Sequence, residues 1–261
     1  MQNTSHAVMA QRVEAKDSLD DFPTPPWATR ALIEHVIGTK DELKSMSCLE
    51  PACGAGHMAK VLREYFAEVR CSDVHGYGYG EVADFARTPH EAQSVDWVIT
   101  NPPFRLAEDF ILKSLSVARR GVAMLTRTVF IESVGRYERL FRDTPPTKFA
   151  QFTERVPMVK GRLDRKASTA TGYGWIVWEK GKRASAPALV WVPACRKQLE
   201  AERDYENPVR PKSSLVEGRK IAGLAEISGS NRAGVGSKRK ALVGGHKAKA
   251  CVTSQEDLFG T

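Results

Sequence analysis

"SCLEPACGAGH", Ser47–His57, reads as a buried strand that runs into a glycine turn and opens a helix. Gly54 and Gly56 stand where a side chain would keep a ligand away from the backbone, and the N–H groups of a helix start lie just behind them. Helical spacing follows from Met58 to Phe66, and "VRCSDV" (69–74) is a second strand ending on an acid, Asp73. Taken alone, GAGHMA satisfies the dinucleotide pattern G-x-G-x-x-A, with Asp73 placed to accept from ribose hydroxyls. A nicotinamide enzyme fits that much, and so does a tight turn that binds nothing.

Working outward, Trp27–Ile37 reads as a helix after a proline-rich start, "DWVIT" (96–100) as a strand and Ala107–Ala118 as a helix. "GVAMLTRTVF" (121–130) is a further strand; "GWIVWEK" (174–180) and "PALVWVP" (187–193) are two more, expected to pair antiparallel and close the sheet. From about Asp20 to Gly181 this alternation predicts an α/β domain with a mostly parallel sheet and helices on both faces. The expected organisation is a flexible N-terminus (1–18), one domain (19–205) and a basic tail (206–261). Over 207–250 the tail carries ten Lys/Arg against two Glu and few large apolar residues, so it is expected to be disordered and to favour polyanions.

The 261 residues suffice for one sizeable core, and no apolar run approaches a membrane span of about 18 residues. The first sixteen residues lack the apolar centre of a secretory signal. Five scattered cysteines, never spaced C-x-x-C, argue against a disulfide framework or a zinc site and fit a reducing cytoplasm; no metal is expected.

The chemistry concentrates in "DWVITNPPF" (96–104), where the strand ends on Asn, two prolines and Phe. Proline cannot donate to a ladder and forces its predecessor into an extended conformation, so this is a rigid corner. Asn101 offers a side-chain acceptor, Pro102 a carbonyl, and Phe104 a stacking face. Two acceptors on one NH₂ group orient its lone pair, which is positioning and electrostatic preorganisation without a covalent intermediate. In "VADF" (82–85), Asp84 suits an adenine amino group and Phe85 the ring face.

The order "DFPTPPWAT", "LEPACGAGH", "CSDV", "ADF", "DWVITNPPF" resembles the gamma-class amino-methyltransferases that methylate adenine N6 in DNA with S-adenosylmethionine, above all the short phage, prophage and plasmid forms. The resemblance covers roughly residues 20–181 and implies a class I, Rossmann-like sheet. It implies that Thr24 contacts the methionine end of the cofactor, that Glu50, Gly54 and Gly56 lie beneath methionine and ribose, and that Asp73 holds the ribose. It further implies that Asp84 and Phe85 hold the cofactor adenine, with Asn101 and Pro102 on the target amine and Phe104 against the flipped base. Many relatives carry Glu where Asp73 stands, and the chain has no sizeable target-recognition domain.

A duplex base must leave its stack to be modified. The expected clamp is the loop 155–175, with Arg155, Lys160, Arg162, Arg165, Lys166 and Tyr173, supported by Arg127 and Arg136 at the same sheet edge. The terminal "QEDLF", with Gln255, Leu258 and Phe259, is similar to the Q-x-x-L-F peptide that docks on the bacterial replication sliding clamp. RNA adenine or protein glutamine as target, cytosine N4 in DNA, and a non-catalytic DNA-binding accessory are the competing readings. The "PTPP" stretch favours nucleic acid over protein, and Asn101 favours adenine over cytosine.

Overall fold

The computed structural model of the protein describes residues 20–182 and 186–205. The expected N-terminal segment, the basic tail and the peptide with Gln255, Leu258 and Phe259 lie outside the described residues. Eight strands form one sheet: β1 (Ser47–Glu50), β2 (Glu68–Asp73), β3 (Glu81–Val82), β4 (Val95–Thr100), β5 (Ala118–Arg127), β6 (Lys148–Phe152), β7 (Tyr173–Glu179) and β8 (Ala188–Val192). Their spatial order is β3-β2-β1-β4-β5-β7-β6-β8. Only β7 runs against the others, antiparallel to both β5 and β6.

This is the expected mixed α/β sheet with a Rossmann-like arrangement, and the strand order reverses between β1 and β4. In open parallel sheets ligands bind outside the carboxyl ends of the strands at that switch point. The carboxyl ends of β1 and β4 are Glu50 and Thr100, so the glycine turn and the Asn101 corner leave the sheet side by side.

Buried residues alternate in side along the central strands, as the two-residue period demands. Trp97 and Ile99 of β4 and Trp175 and Val177 of β7 pack on one face, with Trp27, Leu32, Val61 and Leu62. Val98, Ile176 and Trp178 pack on the other, with Phe110 and Ile111. The first face is covered by α1 (Pro26–Leu32), α2 (Lys40–Leu43) and α3 (His57–Leu62), the second by α4 (Ala107–Val117). Two short α-helices, α5 (Val134–Arg136) and α6 (Arg196–Leu199), follow β5 and β8, and a 3₁₀ turn, Glu202–Tyr205, ends the described chain. The stretch expected as a helix over Trp27–Ile37 is α1 followed by a wider π turn, Ile33–Ile37. The strand expected to reach Phe130 ends at Arg127, and Thr128–Ile131 is a 3₁₀ turn.

The closing hairpin needs correction. β7 and β8 run in opposite directions but are not neighbours, because β6 lies between them, antiparallel to β7 and parallel to β8. Each strand therefore finds its ladder partner in a five-residue segment, "KFAQF", that alternation alone does not single out.

One buried cation ties the end of the described chain to α1. The Arg30 guanidinium donates to Glu64 at 2.9 and 2.7 Å, to Asp204 at 2.7 and 2.8 Å, and to the Leu199 carbonyl at 2.7 Å. Among the described residues no helix is long and apolar enough to cross a membrane.

Candidate active site

The glycine turn takes its shape from two left-handed glycines, Gly54 at φ 50° and Gly56 at φ 79°. Any other residue is strained in that region. The Gly54 N–H donates to Asp73 Oδ2 at 2.9 Å, and the His75 N–H donates to Asp73 Oδ1 at 3.0 Å. Asp73 thus braces the turn from the end of β2 while lining the cavity beside it. Gly56 starts α3 and backs onto the Tyr79 ring, which a Cβ there would enter.

At the end of β4, the Asn101 Nδ2 donates to the Phe22 carbonyl at 2.9 Å. A carbonyl only accepts, so this bond turns the amide oxygen to the opposite side. The Phe104 N–H donates to Asp20 Oδ2 at 2.9 Å, the Phe22 and Phe104 rings lie 5.4 Å apart, and the Gly161 N–H donates to the Asp21 carbonyl at 2.8 Å. The segment 20–24 is therefore laced to the corner and to the long β6–β7 loop. Pro103 accepts from the Leu106 N–H at 2.9 Å, which turns the chain directly into α4.

Between the turn and the corner lies a cavity of about 450 Å³. Of the expected site residues, Thr24, Glu50, Gly54, Asp73 and Asn101 share its wall. Three polar atoms there, Thr24 Oγ1, Glu50 Oε2 and Asn101 Oδ1, are buried without a hydrogen-bond partner among the described residues. Buried polar groups are paired in the great majority of cases, so three orphans in one wall point to a ligand.

The wall is acidic. Asp20, Asp21, Glu50 and Asp73 line it, against Arg105. Burial, and then the Asp73 charge, push the Glu50 carboxyl well above the usual carboxylate range and also raise Asp21. His57, also in the wall, is lowered to about 4, by burial and then by Lys60, so it is neutral at pH 7. A cation entering this cavity would meet carboxylates that it stabilises in their charged form. A pyrophosphate would meet the same groups as repulsion, which weighs against the dinucleotide reading of the glycine turn.

Other expected site residues lie elsewhere. Pro102 is buried beneath the corner, and Phe104 stands beside it with the Arg127 guanidinium 4.3 Å from its ring centre. Asp84 and Phe85 do not line the cavity. Phe85 is a core residue, its ring 5.0 Å from both His90 and Phe110, while Asp84 Oδ1 accepts from the Ala86 N–H at 2.9 Å. Tyr173, expected on the basic loop, is the first residue of β7 and is buried, because its pairing with Arg127 directs the ring into the core. It is not available to fill a gap in a duplex.

The cations of the loop divide. Lys160 lies close enough for its charge to act on Asp21. Arg155 donates to the Ala170 carbonyl at 3.0 Å, Arg162 pairs with Asp164 at 3.3 Å, and Arg165 turns back to Glu200 at 3.5 Å. The Lys166 N–H donates to Asp164 Oδ1 at 2.9 Å. Among the described residues no group of three His, Cys, Asp or Glu is placed to hold a metal. Asp20, Asp21 and Phe22 have no role in the expected site, although "DFPTPPWAT" begins at Asp21; their local signal is the acidic pair just before "FPTPP".

The sequence matches no family model and no curated protein. Among solved structures, it is similar to a Listeria monocytogenes protein assigned to the class I S-adenosylmethionine-dependent methyltransferases, at 12% identity over 67% of each chain with a TM-score of 0.47. It is also similar to the modification subunit attributed to a type I restriction enzyme of Vibrio vulnificus, at 14% identity over 74% of this chain and 51% of that one, TM-score 0.46. A third is an S-adenosylmethionine-dependent O-methyltransferase of Thermotoga maritima, at 15% identity over 62% and 73%, TM-score 0.39.

Proposed function

We propose that the protein is an S-adenosylmethionine-dependent methyltransferase acting on the exocyclic N6 amine of adenine in DNA. The observation that carries the reading is the buried, unpartnered Asn101 Oδ1 at the end of β4, turned toward an acidic cavity by the bond that its own Nδ2 donates to the Phe22 carbonyl. The cavity residues fit the cofactor. Thr24 Oγ1 and the carboxylates of Asp21 and Glu50 suit an ammonium and a sulfonium, Asp73 suits ribose hydroxyls, and the open backbone at Gly54 lets the ligand approach closely.

When bound, S-adenosylmethionine supplies an activated methyl group, so the protein needs no nucleophile of its own. The chain's contribution is positional. Asn101 Oδ1, with the Pro102 carbonyl as second acceptor, takes the two N–H bonds of the target amine and aims its lone pair at the cavity. The proton lost from the amine passes to solvent. Phe104, with Arg127 over its ring and the Phe22 ring 5.4 Å away, is the aromatic contact for the extruded base, and Arg127 is a cation for the adjoining phosphate.

Unmethylated genomic DNA incubated with the protein and labelled cofactor, then digested to nucleosides, tests the assignment. Label in N6-methyldeoxyadenosine is the expected result. Label in N4-methyldeoxycytidine, or in RNA supplied in parallel and not in DNA, would replace the substrate.

A further inference from the structure

Ten large apolar side chains are exposed among the described residues, and four of them fall in the nine residues from Val129 to Tyr137. Val134 is 77% exposed, Tyr137 56%, Val129 55% and Ile131 46%. Single exposed apolar residues need no explanation, but a cluster on one short segment marks a contact surface.

This segment is braced. The Thr128 N–H donates to the Gly172 carbonyl at 2.9 Å, and Phe130 is sunk in the core. The Arg136 guanidinium lies 4.3 Å from the Phe130 ring centre and donates to the Phe130 carbonyl at 2.8 Å. Ser133 Oγ accepts from the Arg136 N–H at 3.3 Å and caps α5. One end of the ridge adjoins the target corner, where Arg127 covers Phe104, and the other is tied to the first turn of α4, where Arg139 pairs with Glu108 at 2.6 and 2.9 Å. Cations adjoin it on the β5 side, namely Arg127 and Arg155, the latter beside Gly172.

Resting on the methyltransferase reading above, we infer that the ridge at Ile131, Val134 and Tyr137 is a wedge that enters duplex DNA as the target base leaves it. Removing a base from its stack costs a few kcal/mol, and an apolar side chain occupying the gap offsets part of that cost. A braced apolar ridge beside the amine-binding corner, with guanidinium groups at its base for the phosphates, has the composition such a contact requires. Tyr173, the aromatic of the expected clamp, is buried and leaves the role to this segment.

The test compares native with heat-denatured unmethylated genomic DNA as substrates for the full chain and for the variant V134S/Y137S. These side chains are exposed, so the variant is expected to melt like the wild type. The wedge predicts that labelling of native DNA falls about tenfold or more. Labelling of denatured DNA, where no stack must be broken, is expected to stay within about twofold. Undiminished labelling of native DNA, an equal loss on both substrates, or a wild type that labels only denatured DNA would overturn the wedge. A wild type that labels neither form would overturn the DNA substrate reading on which the wedge rests.

Discussion

The Asn101 side-chain nitrogen donates to the Phe22 carbonyl at 2.9 Å, and this bond decides which end of the amide faces a ligand. Asn101→Asp would set a carboxylate oxygen against that carbonyl. The variant is expected to lose about 1–3 kcal/mol of stability, read by urea unfolding, because a buried carbonyl loses its donor. Transfer is expected to drop by about 10²-fold or more, the scale of losing one aimed hydrogen-bonding group in an active site. A variant with wild-type stability would show that the Phe22 contact does not hold the corner.

Gly56 and Gly54 separate backbone strain from crowding. Both have positive φ, but a Cβ at Gly56 would enter the Tyr79 ring, whereas one at Gly54 would sit 3.8 Å from the nearest atom, Asp21 Oδ1. Gly54→Ala is expected to cost the strain alone, about 1–2 kcal/mol, and Gly56→Ala about 1–3 kcal/mol more for the forced overlap. Equal chemical-denaturation midpoints for the two variants would refute the distinction.

Glu50 makes the site pH-dependent. Its carboxyl is raised well above the ordinary 4.5 by burial and then by Asp73. The folded protein therefore holds a proton there that the unfolded chain releases, and the associated stability, full below about pH 4.5, is lost as pH rises toward the folded value. A cationic ligand favours the ionised carboxylate, so binding should expel the proton and tighten with rising pH over the same range. Isothermal titration with S-adenosylmethionine should show that trend in the wild type. Glu50→Gln should flatten it; an unchanged slope would remove Glu50 from the cofactor site.

Arg30 is predicted to matter for folding and not for chemistry. Arg30→Ala strips a buried guanidinium from Glu64, Asp204 and the Leu199 carbonyl, and it leaves the buried Asp204 carboxylate without its ion pair. The expected loss is about 3–5 kcal/mol, with cofactor affinity retained below the melting transition. A loss under about 1 kcal/mol, the worth of an exposed ion pair, would contradict the buried network.

Local signals carried the parts of the fold and site that lie within one β-turn-α unit. Gly54 and Asp73 are joined by a hydrogen bond between residues 19 apart, and the pattern of strand, glycine turn, helix and second strand announces it. Asn101 was legible because two prolines at a strand end have few uses. What failed depended on remote partners. β6 is recognisable only once β7 and β8 flank it. Phe85 looks like a stacking residue until Phe110 closes over it, and Tyr173 looks like a loop aromatic until its register with Arg127 turns it inward. Asp20 and Phe22 gain their roles from Phe104 and Asn101, about 80 residues later in the chain.

The central claim is that Asn101 Oδ1 receives the amine that is methylated. The most direct measurement is transfer of labelled methyl groups to unmethylated DNA by the wild type and by Asn101→Ala, alongside cofactor titration of both. The account predicts that the wild type labels adenine N6, and that Asn101→Ala binds S-adenosylmethionine with similar affinity but transfers at least about 10²-fold more slowly. Full methylation of DNA by Asn101→Ala would contradict it.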